Sequence, residues 1–81
     1  MDIARLIQMA NQIGAFFEAE PDRAAARNGV ADHLAKFWEP RMRASILSHM
    51  DSAGGEGLKP LVREALTEHR ARLAGYKEKA A

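Results

Sequence analysis

Three histidines, two carboxylates one helical turn apart and a glycine cluster are the groups in this chain from which a chemical site could be built. His33, His49 and His69 stand 16 and 20 residues apart. None of these spacings is the i,i+3 or i,i+4 step with which a helix offers two ligands to one metal ion. We expect His69 to border the core and His33 and His49 to face solvent. Glu64 and Glu68 share a helical face, but Arg63, Arg70 and Arg72 alternate with them. Such a face reads as solvated ion pairs rather than as a general acid and base. Gly54-Gly55-Glu56-Gly57 has no preceding strand and lacks the Lys-Ser/Thr of a phosphate-binding loop, so it reads as a turn. No serine stands in a nucleophile-elbow context. Catalytic, cofactor-binding and metal-ligating residues are therefore not expected.

What remains is surface chemistry. Phe37-Trp38-Glu39-Pro40-Arg41-Met42-Arg43 gathers two aromatics and two arginines at a proline-marked corner. Aromatic and arginine side chains are favoured interface anchors, since they bury much area for little lost entropy. Phe16 and Phe17 add to this apolar surplus. In a chain this small about three of Phe16, Phe17, Phe37, Trp38 and Met42 should fit inside. The corner can thus be a core plug, a partner-docking surface, or both. The candidate docking residues are Phe16, Phe17, Phe37, Trp38, Arg41, Met42 and Arg43. A helix-turn-helix is a weaker reading, because Ser45 and Ser48 would be poor readers of base edges.

Four helices are expected to position these residues. Ile3, Leu6, Ile7, Ala10, Ile13, Phe16 and Phe17 form one wide apolar stripe, with Asp2 as N-cap and Gly14 as either a point of close helix approach or a tolerated imperfection. Glu20-Pro21 ends this helix, and Pro21 suits the first turn of the next. The second helix carries Ala24, Ala25, Val30, Leu34, Phe37 and Trp38 on its buried side and runs unbroken through Asn28-Gly29. Pro40 opens a short third helix with Met42, Ile46, Leu47 and Met50 inward. The loop Asp51 to Gly57 follows. Pro60 begins a last helix, with Leu61, Val62, Ala65, Leu66, His69 and Leu73 inward and Gly75 at its end. With no alternating β-branched run, the expected fold is all-α, a small bundle of four short helices. It forms a single domain with an ordered core over residues 2–73 and a frayed tail beyond.

Composition sets the outer bounds. The 81 residues contain no cysteine, which leaves no disulfide or thiolate cluster to brace the core. The start of the chain lacks the pattern of a signal peptide, and no run is long and apolar enough to span a bilayer. We expect a soluble, cytoplasmic protein. The net charge of +1 is low for a nucleic-acid binder. Residues 1–58 hold six basic and eight acidic groups, and residues 59–81 hold six and three.

Several blocks resemble a known family. Met9-Ala10-Asn11-Gln12-Ile13-Gly14 followed by Phe16-Phe17 is similar to the delta subunit of soluble, NAD-dependent molybdenum or tungsten formate dehydrogenases. So are Ala31-Asp32-His33-Leu34 leading to Phe37-Trp38-Glu39-Pro40-Arg41-Met42, then Gly54-Gly55-Glu56-Gly57-Leu58 and Val62-Arg63-Glu64-Ala65-Leu66. The likeness covers about residues 2–73. It implies membership of a complex in which a large alpha subunit oxidises formate at a molybdopterin centre. Electrons then pass through iron–sulfur clusters to a subunit carrying flavin (FMN), which reduces NAD. The resemblance implies that the delta chain itself binds no cofactor and supports assembly or stability, with the large molybdenum-binding alpha subunit as its partner. A dissociable chaperone for cofactor insertion is the alternative, and a small helical DNA-binding regulator a third reading.

Overall fold

The computed structural model describes residues 2–75. The tail expected from Tyr76 onward lies outside these described residues. Five helices run in the order α1 (Ile3–Phe17), α2 (Arg23–Phe37), α3 (Pro40–Ala53), α4 (Pro60–Glu68) and α5 (Arg70–Leu73), with no strand among the described residues. The expected all-α bundle is present.

Each start has a local cause. Asp2 Oδ1 accepts the Ala4 N–H at 3.1 Å and caps α1. Asp22 does the same for α2, accepting the Ala24 N–H at 3.1 Å. Pro21 therefore stands outside α2 rather than in its first turn, because the carboxylate next to it satisfies amides that proline cannot. Pro40 and Pro60 do open α3 and α4, where a missing N–H costs nothing.

Two ends differ from expectation. α3 runs on to Ala53, through residues expected in the loop, and stops at Gly54 (φ 65°). The Gly54 N–H donates to Met50 O, and that of Gly55 to His49 O, a left-handed helix stop that glycine makes at no steric cost. The last helix is broken at His69 (φ −107°, ψ 24°) into α4 and α5. Thr67 Oγ1 donates back to Arg63 O at 2.9 Å, a bond that bends helices. Leu73, beyond the break, lies in the core, 2% exposed.

The core joins Leu6 and Ala10 of α1, Val30 and Leu34 of α2, Ile46 and Leu47 of α3, and Leu61, Val62 and Leu66 of α4. Gly14 is where α1 meets α4: a methyl there would come within 2.6 Å of Val62 Cγ2. α2 is continuous through Asn28-Gly29 as expected, and Gly29 seats the Phe17 ring where a β-carbon would collide. On α2 the buried alanines are Ala26 and Ala31; Ala24 and Ala25 are exposed. On α1 the apolar stripe is wider than its neighbours cover, leaving Ile3 and Phe16 exposed.

Candidate functional site

The seven candidate docking residues divide. Trp38 is 6% exposed and belongs to the core, so it is a plug and not an exposed anchor. Its N–H still donates to Leu34 O at 3.0 Å, so the indole stands one turn beyond buried Leu34 on the inner face of α2, while its extended backbone (φ −89°, ψ 141°) turns the chain toward α3. Phe17 and Met42 are half-buried against that core. Phe16 and Phe37 are 74% and 69% exposed. About three of the five large apolar side chains are thus accommodated, as expected.

The two arginines of the corner have separate roles. Arg41 is exposed. Arg43 is half-buried and reaches the end of α2, where its Nη1 donates to Leu34 O and Ala35 O, both at 3.3 Å, and to Trp38 O. Its Nε donates to Leu73 O at 3.2 Å. Carbonyls at a helix C-terminus have no intrahelical donors, and one planar guanidinium here supplies several. Arg43 is therefore a clasp among α2, α3 and α5 rather than a docking group.

The exposed rings open onto a groove of about 550 Å³ between α1 and α2. Met9, Gln12, Ile13 and Phe16 line one side, His33 the other, and Phe17 and Trp38 also contribute. Phe37 extends the second side by packing on His33, ring centroids 4.8 Å apart. Phe16 and Phe17 meet edge to face, with centroids 4.9 Å apart and planes at 89°. His33 was expected in solvent; instead it is half-buried in this wall. Met9, Ile13 and His33 were not singled out as docking residues. Their signal was available in the spacing Met9–Ile13–Phe16 and His33–Phe37, each one helical face.

Other polar groups hold the chain together. Asn11 Nδ2 donates to Gly57 O at 2.9 Å, and its Oδ1 accepts the Lys59 N–H at 2.9 Å. Arg63 Nη1 donates to Leu58 O at 2.6 Å. His49, also expected in solvent, is half-buried, with Nε2 2.7 Å from Glu56 O. The turn expected at residues 54–57 is therefore pinned from α1, α3 and α4. His69 borders the core as expected, 3.7 Å from Glu68 Oε1.

Glu64 and Glu68 do form an ion-paired face, but their arginine partners come from another helix. Glu64 accepts Arg23 through two bonds of 2.9 and 3.0 Å, and Arg27 lies 2.5 Å from Glu68. The hydrogen bonds from Arg23 hold the Glu64 carboxyl below its ordinary value. Asp32 is likewise lowered, first by its hydrogen bond from Arg72 at 2.7 Å and then by Lys36. Among the described residues there is no cluster of three or more His, Cys, Asp or Glu able to hold a metal ion. Nor is any helix among them long and apolar enough to cross a membrane.

No curated protein and no solved structure matches this chain. The family model of the NADH-dependent formate dehydrogenase delta subunit, FdsD, matches residues 5–66, a span that contains the residues lining the groove, Arg43 and the pinned turn. With most of its length covered, the chain belongs to the formate dehydrogenase delta-subunit family.

Proposed function

We propose that this chain is a non-catalytic accessory subunit, which docks through its aromatic groove on the large molybdenum-binding subunit of formate dehydrogenase and supports assembly or stability there. The observation that carries the reading is the groove itself. Phe16 and Phe37 stand exposed beside a largely apolar trough, in a chain whose core already contains its tryptophan. Exposed apolar area of this kind, ringed by polar side chains, is typical of protein contact sites. The chemistry-bearing groups support the same reading by what they do. Asn11, Arg43, His49 and Arg63 hold backbone carbonyls, and Arg23, Arg27, Glu64 and Glu68 tie α2 to α4. On this reading molybdopterin, iron–sulfur clusters, FMN and NAD all belong to other subunits.

The test is purification of the enzyme with the chain present and with its gene deleted. The expected result is retention at fixed stoichiometry with the catalytic subunit, and less assembled, molybdenum-loaded enzyme in the deletion. The isolated chain should neither oxidise formate nor reduce NAD. Mature, active enzyme that lacks the chain would support the dissociable-chaperone reading instead.

A further inference from the structure

Asn28-Gly29 lies in the middle of α2, although neither residue favours a helix interior. Gly29 has a packing reason to be there. A β-carbon at this position would collide with Cε1 and Cδ1 of Phe17, so the glycine makes the hollow in which that ring of α1 sits. Asn28 is exposed, its amide open to water. The pair thus places an unhindered backbone nitrogen next to a solvated side-chain amide.

That pairing has a chemistry of its own, which needs no enzyme and no reagent but water. The Gly29 nitrogen attacks Asn28 Cγ and gives up its proton. A cyclic imide closes as the N–Cγ bond forms, and the Cγ–Nδ2 bond breaks with release of ammonia, which carries the proton away. Water then opens the ring. Hydrolysis at Cγ leaves aspartate, whereas hydrolysis at the main-chain carbonyl leaves an isoaspartyl link, in which the backbone runs through Cβ and Cγ. Nothing is oxidised or reduced. Glycine permits the attack because it has no side chain to shield its nitrogen. The other asparagine, Asn11, precedes Gln12, whose side chain does shield it.

Folded α2 blocks the step. Inside an α-helix each N–H is held by the carbonyl four residues back, and ring closure requires Gly29 to give up that bond and Asn28 to leave the helical ψ region. Opening this turn also unseats Ala26 and Val30, both fully buried, and releases Arg27 from Glu64 and Glu68 of α4. We propose that Asn28-Gly29 is a modification site gated by folding, protected while α2 is formed and converted, chiefly to isoaspartate, in chain that remains unfolded. The inserted methylene puts the later residues of α2 out of register with the earlier ones, so neither the helix nor the seat of Phe17 can re-form. Chain left unfolded is thereby marked irreversibly. The protection arises within the chain and needs no partner.

The test incubates the full chain at neutral pH in native buffer and in denaturant. Peptide mass spectrometry follows conversion at Asn28, and labelling by an isoaspartyl methyltransferase detects the altered link. Conversion in native buffer should be at least roughly tenfold slower, because opening of a core helix is rare. Val30→Ala, which loosens the packing beside the pair, should raise the native rate several-fold and leave the rate in denaturant unchanged. Asn28→Gln should abolish conversion at this position, since the longer side chain does not close the same ring, and should keep the helical circular dichroism. The isoaspartyl form, purified and returned to native buffer, should show less helix than the unaltered chain. Equal rates in the two buffers, a native rate indifferent to Val30→Ala, or an isoaspartyl form with full helical content would overturn the proposal.

Discussion

Phe37 and Trp38 are neighbours with opposite fates, and the difference is their place around the helix. Trp38 stands four residues after buried Leu34 and shares its face, whereas Phe37, about 100° away around α2, is left on the outer wall. The periodicity made the aromatic surplus legible but not which ring would be exposed, because Phe37 also follows a buried residue, Val30, by about two turns. Trp38→Ala should therefore cost about 3–5 kcal/mol of folding stability, the usual range for emptying a buried aromatic site. Phe37→Ala should change stability by no more than about 0.5 kcal/mol, as exposed substitutions generally do, while weakening retention in the enzyme complex. Thermal unfolding and co-purification of both variants check the pair, and a stable Trp38→Ala protein would contradict the burial. Arg43 shows the same limit of sequence reading. Its place beside the aromatics suggested docking, whereas the geometry makes it a donor to carbonyls of α2 and α5. Arg43→Lys should not restore what Arg43→Ala loses, because an ammonium cannot reproduce the planar fork. Comparing the melting temperatures of the two variants tests this.

Elements were most legible where proline, glycine and capping residues mark them. Asp2, Pro40, Pro60 and Gly54 all act as their local chemistry dictates. The exceptions arise where a competing group wins. Asp22 displaces Pro21 from the helix start, and the Thr67 back-bond together with the burial of Leu73 breaks the last helix. Hydrophobic period alone could not show either, since Leu73 keeps the phase of a continuous helix. The turn at residues 54–59 is a further case. Glycines identify it as a turn, but its attachment to α1 depends on Asn11, 46 residues from Gly57 in sequence. Asn11→Ala leaves Gly57 O and the Lys59 N–H without this partner. It should cost about 1–3 kcal/mol, as unpairing partly buried polar groups does. Amide hydrogen exchange should quicken at Lys59 while the middle of α2 remains protected. Uniform quickening across the chain would instead point to global destabilisation.

At the scale of the whole molecule, the separate helices are tied by ion pairs that join positions about 40 residues apart. Charge alternation within the last helix suggested an ion-paired face, but sequence spacing could not supply the partners Arg23, Arg27 and Asp32 across the bundle. Exposed pairs of this kind are individually weak. Two carboxyls among them are depressed: Glu64 through Arg23, and Asp32 through Arg72 and Lys36. A carboxyl lowered in the folded state binds its proton less readily there than in the unfolded chain, so folding is favoured when it is ionised. That contribution is complete above the ordinary carboxylate range and is lost as pH falls through the lowered folded values. The melting temperature should thus decline on acidification below the ordinary range. Glu64→Gln combined with Asp32→Asn should lower it at neutral pH and flatten the decline, because the groups that titrate have been removed. Added salt should imitate the neutral-pH part of this effect by screening the same pairs. Thermal unfolding of both proteins across an acid pH series, at low and high salt, is the measurement. An equally steep acid decline in the double variant would assign the pH dependence to other carboxyls and leave these bridges with a role in helix register alone.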